Sequence, residues 1–405
     1  MLIPQAERDD NPVFFLNPHG HHAFFTLIAL SKDQPVHLLC PPLTLQLSKG
    51  LWRDRNLSLA SLSIRERFAQ AIAIVAFIAF KFKFFSETSY LKIFRGASCL
   101  FLGPSKPRTV VYYQDYLYPL LSAPNTADLR VCELIIDTTP ECANWVSTLA
   151  AVNSADLVIT PNCAMTKTWA RHSSPVQLAP YGGNKRQYLS NAPALNPASM
   201  LLSSPKSVGN KSLIRVAARA NTYRKGADLL LSALPKLDEM LSASIRHSDC
   251  RIEIQICGSL DAPSLISLAK RVQDLLAIHG RVYVTARQYP QLEYLKVLAH
   301  SDCFLMPSRL ESSSLAALES LWHGIPSILS QNCGIDQFCT GRHGILLQSL
   351  TSESLAESLY SICIQPEKLL EWRSLLCQDQ GLFSWEGYFS AYRNLMESLK
   401  ANSIV

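Results

Sequence analysis

Two carboxylates and a group of cations mark the C-terminal half of the 405-residue chain. Glu311 and Glu319 stand eight positions apart in SRLESSSLAALESLWHGIPSIL, residues 308–329. Glu311 follows a strand-like apolar run, and Glu319 falls on the helix-like run after it. Ser312, Ser313 and Ser314 lie where an N-cap belongs, and Gly324 and Pro326 where a helix ends. A helix beginning there presents unbonded N–H groups and the positive end of its dipole, which suit a diphosphate. Spacing alone leaves two readings open: two glutamates facing one ligand, or two surface glutamates on an amphipathic helix. Upstream, AARANTYRKGADLLLSAL holds Arg219, Arg224 and Lys225. A diphosphate leaving group gains negative charge as its bond breaks, so fixed cations there act on the transition state more than on the ground state. An arginine fork matches phosphate geometry and lysine adds a compact charge. The competing reading is a solvated basic turn ahead of a helix.

The N-terminal half offers weaker candidates. His19 and Gly20 lie in NPHGHH, residues 17–22, at a strand-to-helix turn. His19, His21 and His22 are of ligand type, but histidines in a loop without carboxylates are more often polar loop residues. His19 is taken as a residue of the ligand cleft. Asp115 follows VVYYQ and either acts near the reacting groups or caps a helix. No Asp-x-Asp pair is present, and no metal is expected. Residues 64–96 combine Phe77, Phe80, Phe82, Phe84 and Phe85 with flanking Arg65, Arg67, Lys81, Lys83, Lys92 and Arg95. This segment has the composition of a membrane interface, but its crossover position favours a helix packed on the sheet, and both hold if its end protrudes.

The elements that must position these residues alternate between strand and helix. Strands are expected at 14–17, 35–42, 109–113, 131–136 and 157–160, with helical stretches between them. Residues 187–211 are rich in Pro, Ser, Asn and Ala and read as a linker. The alternation then restarts, with strands at 213–219, 251–258, 281–285 and 303–308 and helices at 225–237, 264–280 and 294–301. This predicts an α/β protein of two doubly wound parallel-sheet domains, whose ligands sit beyond the carboxyl ends of the strands. The domains are residues 1–186, completed by a C-terminal helix at 385–405, and residues 212–384. Bulk composition agrees: 17% charged residues and nearly half hydrophobic describe a globular chain. A net charge of +6 is too diffuse for nucleic acid but suits anionic substrates or an anionic membrane. Twelve cysteines without a CxxC pair suggest reduced, buried thiols in the cytoplasm. The polar start lacks the pattern of a secretory signal. The most apolar run, 71–80, is too short to span a bilayer.

Glu311, seven residues and Glu319 resemble the E-x7-E motif of the retaining family 4 glycosyltransferases. HGIPSIL and CGIDQF are similar to that family's G-x-P-V strand and G-G-x-x-E loop. AARANTYRKGADLLLSAL is similar to its G-R…K-G-x-D-x-L-L-x-A stretch, with Ala218 in place of a glycine and one extra residue. NSADLVITPNCAMTKTW and LAPYGGN resemble it more loosely, and Asp336 stands where the family often has Glu. The resemblance covers about 213–347. It implies the GT-B fold, two Rossmann-like domains facing a cleft. It implies that Glu311 contacts the donor sugar and Glu319 the ribose, and that Arg219 and Lys225 grip the phosphates. Ser312, Ser313, Ser314, Gly258 and Gly334 fall in the donor site, and His19, Gly20 and Asp115 on the acceptor side. The implied activity is transfer of a sugar from a nucleotide-sugar donor to a glycan or lipid-linked acceptor, without a cofactor. A sugar-nucleotide epimerase, a sucrose- or trehalose-type synthase and a non-catalytic nucleotide-sugar binder share this architecture and remain alternatives.

Overall fold

A computed structural model describes residues 213–388 apart from 245–248, 312 and 336–340, and in the N-terminal half chiefly 13–15, 36–38, 64–81, 110–114, 129–134, 145–153, 155–171 and 176–178. The chain divides into two compact units, Met1–Ala179 with Tyr388–Val405, and Pro180–Gly387.

The described elements of the first unit are β1 (Val13–Phe15), β2 (Val36–Leu38), α1 (Ile64–Lys81), β3 (Val110–Gln114), β4 (Leu129–Glu133), α2 (Trp145–Asn153), β5 (Leu157–Thr160), α3 (Cys163–Trp169) and β6 (Val176–Leu178). The strands form one parallel sheet in the order β2-β1-β3-β4-β5-β6. Val13 pairs with Val36 on one side and Val110 on the other. The strands are short, and β5 is buried along its whole length, as expected of a parallel strand covered on both faces. Cys132, Leu134 and Val158 from the sheet pack with Val152, Met165 and Trp169 from α2 and α3. Asn162 fixes the start of α3 by accepting the Met165 N–H at 2.7 Å.

The second unit runs β7 (Leu213–Ala218), α4 (Ala227–Ala243), β8 (Arg251–Cys257), α5 (Pro263–Leu276), β9 (Val282–Arg287), α6 (Gln291–Ala299), β10 (Cys303–Met306), α7 (Leu315–Trp322), β11 (Ser327–Ser330), β12 (Gly344–Leu347), α8 (Ser352–Ile364) and α9 (Glu367–Gln378). Its parallel sheet has the order β12-β11-β10-β7-β8-β9. This is the doubly wound Rossmann order, in which the chain's direction of travel across the sheet reverses between the first strand, β7, and the fourth, β10. Ile214, Val216, Ile252, Ile254 and Ile256 meet Leu230, Leu234, Leu237 and Leu241 of α4 and Leu355 and Leu359 of α8 in one continuous core. Each such side chain contributes about 1.5–3 kcal/mol by leaving water.

Several elements differ from the sequence reading at their ends. The helix expected at 225–237 begins at Ala227, because Gly226 is left-handed at φ 74°, and runs through Pro235 to Ala243. An interior proline costs a helix about 3 kcal/mol. Here Leu234, Leu237 and Leu241 carry the buried stripe past it, and their burial outweighs the lost hydrogen bond. The helix expected at 264–280 stops at Leu276, after which the Gly280 N–H turns back to the Leu276 carbonyl at 2.9 Å. The strand expected at 303–308 ends at Met306, two residues before Ser308.

Candidate functional site

The adjacent carboxyl ends of β7 and β10 release two loops, 219–226 and 307–314. The Arg219 N–H bonds the Leu305 carbonyl at 2.9 Å, so the loops leave the sheet side by side. The Arg219 guanidinium reaches the other way, to the neighbouring strand, and donates from Nη1 to the Cys257 carbonyl at the end of β8. The first loop turns tightly at its far end, with the Lys225 and Gly226 N–H groups donating to the Thr222 and Tyr223 carbonyls at 3.1 and 3.0 Å. A Cβ on Gly226 would lie 2.2 Å from the Pro307 oxygen. The two loops therefore touch backbone to backbone at a place where only glycine fits.

A polar clasp holds them together. Arg309 donates two parallel hydrogen bonds to Asp228, at 2.8 and 2.7 Å, and a third to the Tyr223 carbonyl. Its N–H bonds the Arg224 carbonyl at 2.8 Å, and Arg224 Nη1 answers by donating to the Leu310 carbonyl at 3.0 Å. Burial pushes the Asp228 carboxyl up, but the hydrogen bonds and charge of Arg309 together hold it below its ordinary value. Beneath Glu311 the second loop is stitched to the turn at Gln331–Cys333. The Glu311 and Ser314 N–H groups bond the Asn332 and Cys333 carbonyls at 2.9 and 3.2 Å. Ser330 donates to the Ser308 carbonyl at 2.5 Å. Gly334 closes that turn.

The sequence candidates of this half converge on these loops. Burial, with help from Arg219 and Arg224, lowers the Lys225 pKa, and Glu311 opposes the shift. Arg219, Lys225 and Glu311 thus share one electrostatic neighbourhood. Glu311 Oε1 lies 3.2 Å from Arg224 Nη1, but that Nη1 is aligned on the Leu310 carbonyl, and the carboxylate oxygen accepts no hydrogen bond. Ser314 caps α7, accepting the Ala317 N–H at 3.2 Å. Ser313 is buried, with its hydroxyl unbonded. Glu319 sits half-buried one turn into α7. Gly258 ends β8 directly against the first loop, where a Cβ would meet the Asn221 side chain at 2.7 Å. Ser312, Asp115, His19 and Gly20 lie outside the described residues, as does the segment 187–211.

The sequence reading did not single out Tyr294, Asn221, Asp228 or Arg309 as site residues. The Tyr294 hydroxyl is fully buried on α6; burial, then the charges of Glu319 and Cys257, push its pKa well up against the pull of Arg219. Neither the Tyr294 hydroxyl nor Asn221 Oδ1 has a hydrogen-bond partner, and the same holds for Ser308 Oγ and Ser313 Oγ. Buried polar groups are nearly always bonded. Asn221 and Ser308 lie on the loops that follow β7 and β10, and the Tyr294 hydroxyl lies within the electrostatic reach of Arg219 and Glu319. Among the described residues no group of three or more His, Cys, Asp and Glu is placed to hold a metal ion.

Comparison with known proteins agrees with this geometry. Residues 211–364 match the family model for glycosyl transferases group 1. The glycogen synthase of Nitrosomonas eutropha is 26% identical over 194 residues, 44% of this chain and 35% of that protein. The chain thus spans about a third of the length of the curated relatives it matches. Among solved structures, the sucrose-phosphate synthase of Thermosynechococcus elongatus is superposable with a TM-score of 0.61 at 15% identity, over 97% of this chain and all of that one. Anabaena HepE, solved in complex with UDP, gives 0.57 at 14% identity, over 96% of this chain and all of that one. The chain has the fold of the GT-B glycosyltransferases, and the part of it that matches the glycosyl transferases group 1 model, residues 211–364, holds the loops just described.

Proposed function

We propose that the protein is a retaining glycosyltransferase that moves a sugar from a nucleotide-sugar donor to a glycan or lipid-linked acceptor. The observation that carries this reading is the meeting of Arg219, Lys225, Glu311 and unbonded buried oxygens at the strand-order reversal of the second unit. In this reading Arg219 and Lys225 hold the diphosphate and stabilise the charge it gains on leaving. Glu311 meets the donor sugar and Glu319 the ribose hydroxyls. The N–H groups at the start of α7 face the phosphates. The reaction needs no metal, because the two cations supply the charge a metal would otherwise bring. The acceptor belongs with the first unit, where Asp115 follows β3 and His19 and Gly20 follow β1 in sequence. Those two strands flank the reversal in that sheet's order. The site of action is the cytoplasm, in keeping with the buried thiols of Cys257, Cys333 and Cys363.

The test is a screen of common nucleotide sugars with a panel of acceptors, followed by mass spectrometry and by NMR of the anomeric configuration of the product. Sugar phosphates belong in the panel, because sucrose-phosphate synthase shares the fold. Release of nucleoside diphosphate with a retained anomer, unaffected by a chelator, is the expected result. Tight donor binding without turnover on any acceptor would favour a non-catalytic binding protein.

A further inference from the structure

The helix α1 turns three of its large apolar side chains outward. Ala69, Ala73 and Ala76 are buried, whereas Ile64 is 89%, Phe68 62% and Val75 64% exposed, and Ala71 is exposed with them. Both sets advance in steps of four and three residues, so each forms a straight stripe. They are offset by five residues, which places them on roughly opposite sides of the helix. A helix of a globular protein ordinarily turns its large apolar residues to the core. Here the small residues face inward and an Ile, a Phe and a Val face out. Just past the helix Phe84, tied by its N–H to the Ala79 carbonyl at 2.9 Å, is 79% exposed.

We propose that this outer face of α1 docks on the surface of an anionic lipid bilayer. Charge selects lipid over a second protein as the occupant. Between Ile64 and Gly96 the chain has six cations, Arg65, Arg67, Lys81, Lys83, Lys92 and Arg95, against two acids, Glu66 and Glu87, and so carries most of the chain's net +6. Exposed Arg67 lies beside the stripe itself. Apolar residues interspersed with cations along one segment of sequence are the composition of a helix that lies in the headgroup boundary, with its apolar face toward the acyl chains and its cations on anionic headgroups. No described helix is long and apolar enough to cross a membrane, so α1 rests on the surface. The proposal does not depend on the sugar-transfer reading.

The experiment is sedimentation of the full chain with phosphatidylcholine vesicles, with and without phosphatidylglycerol. The protein is expected to pellet with the anionic vesicles at low salt, to be released as salt screens the headgroups, and to pellet poorly with phosphatidylcholine alone. The double substitution Phe68→Ser and Val75→Ser should weaken the binding roughly tenfold or more, since it removes most of the inserted apolar area. Donor consumption in solution should be unchanged by it. In the singly substituted Phe68→Trp protein the emission should shift to the blue on the anionic vesicles, a readout that does not rely on the double variant folding. Failure of the wild type to pellet with anionic vesicles would overturn the proposal, as would binding unaltered by the double substitution or an unshifted tryptophan. So would a concentration-dependent dimer dissolved by the same two substitutions, which would assign the face to a second copy of the chain.

Discussion

At the scale of single residues, the site's behaviour rests on how much charge its cations keep without a ligand. Burial, then Arg219 and Arg224, depress the Lys225 pKa, so these cations repel one another. A diphosphate relieves that repulsion. Substituting Arg219→Ala or Lys225→Ala should each lower kcat by about 10²–10³, more than it weakens donor binding, because the leaving group's charge grows during bond breaking. The double substitution should fall short of the product of the two, since both act on one group. Steady-state transfer with donor calorimetry reads both quantities, and wild-type kcat in both single variants would remove these residues from the site. The same depression gives a pH signature. With its folded pKa below the usual lysine value, Lys225 is a destabilising charge in the unliganded protein at neutral pH, and that cost is relieved as pH rises through the folded pKa. Donor binding should run the other way, weakening on the alkaline side before ordinary lysines titrate. Lys225→Arg should remove that limb, since a guanidinium stays charged. Glu319→Ala should weaken donor binding by about 1.5–3 kcal/mol, the worth of a charge-assisted hydrogen bond, while the melting temperature changes little. Unchanged donor affinity in calorimetry would sink the ribose role.

At the scale of elements, the decisive contact is the one between loops 219–226 and 307–314. Gly226→Ala forces a side chain into a left-handed backbone at φ 74° and drives its Cβ to 2.2 Å from the Pro307 oxygen. The left-handed conformation alone costs roughly 1–2 kcal/mol, and the clash adds to it. Thermal unfolding should therefore shift down by about 2 kcal/mol or more, and donor affinity should fall with it because Lys225 is the neighbouring residue. A variant as stable as the wild type would mean that the loops part easily and that their contact does not position the site. The sequence made much of this scale legible. Strand 157–160 is a short apolar run and 213–218 is one broken only by Arg215, and the serines after Glu311 mark the start of α7, which Ser314 caps. Other features depend on pairings that no local pattern carries. Asp228 and Arg309 are 81 positions apart and read as ordinary surface charges until the strand order brings β7 beside β10. Tyr294 reads as one more apolar position on an amphipathic helix, and only its unbonded hydroxyl sets it apart. The three-residue strand Val176–Leu178 is too short to show a period at all. In α4 the helix read at 225–237 runs on to Ala243, because Leu237 and Leu241 continue the buried stripe past Pro235.

At the scale of the whole molecule, each unit carries its own sheet and its own packed interior. The core of the second unit draws on residues from Ile214 to Trp372, all within Pro180–Gly387, and the cluster around Trp169 lies wholly in the first. The candidate donor groups follow the same division, because Arg219, Lys225, Tyr294, Glu311, Ser313 and Glu319 all belong to the second unit. A sheet in the Rossmann order with helices on its faces is a self-sufficient arrangement, and a unit of this size buries enough surface to fold by itself. A fragment spanning 180–387 should therefore unfold in one cooperative transition, followed by circular dichroism. It should bind the nucleoside diphosphate product of the donor found in the screen within about tenfold of the full chain, because every residue proposed to hold phosphate or ribose is retained. It should transfer no sugar, since the residues assigned to the acceptor are missing. A folded fragment that fails to bind the nucleotide would show that the first unit completes the nucleotide site. A fragment that still glycosylates the acceptor would show that the first unit is not where the acceptor binds.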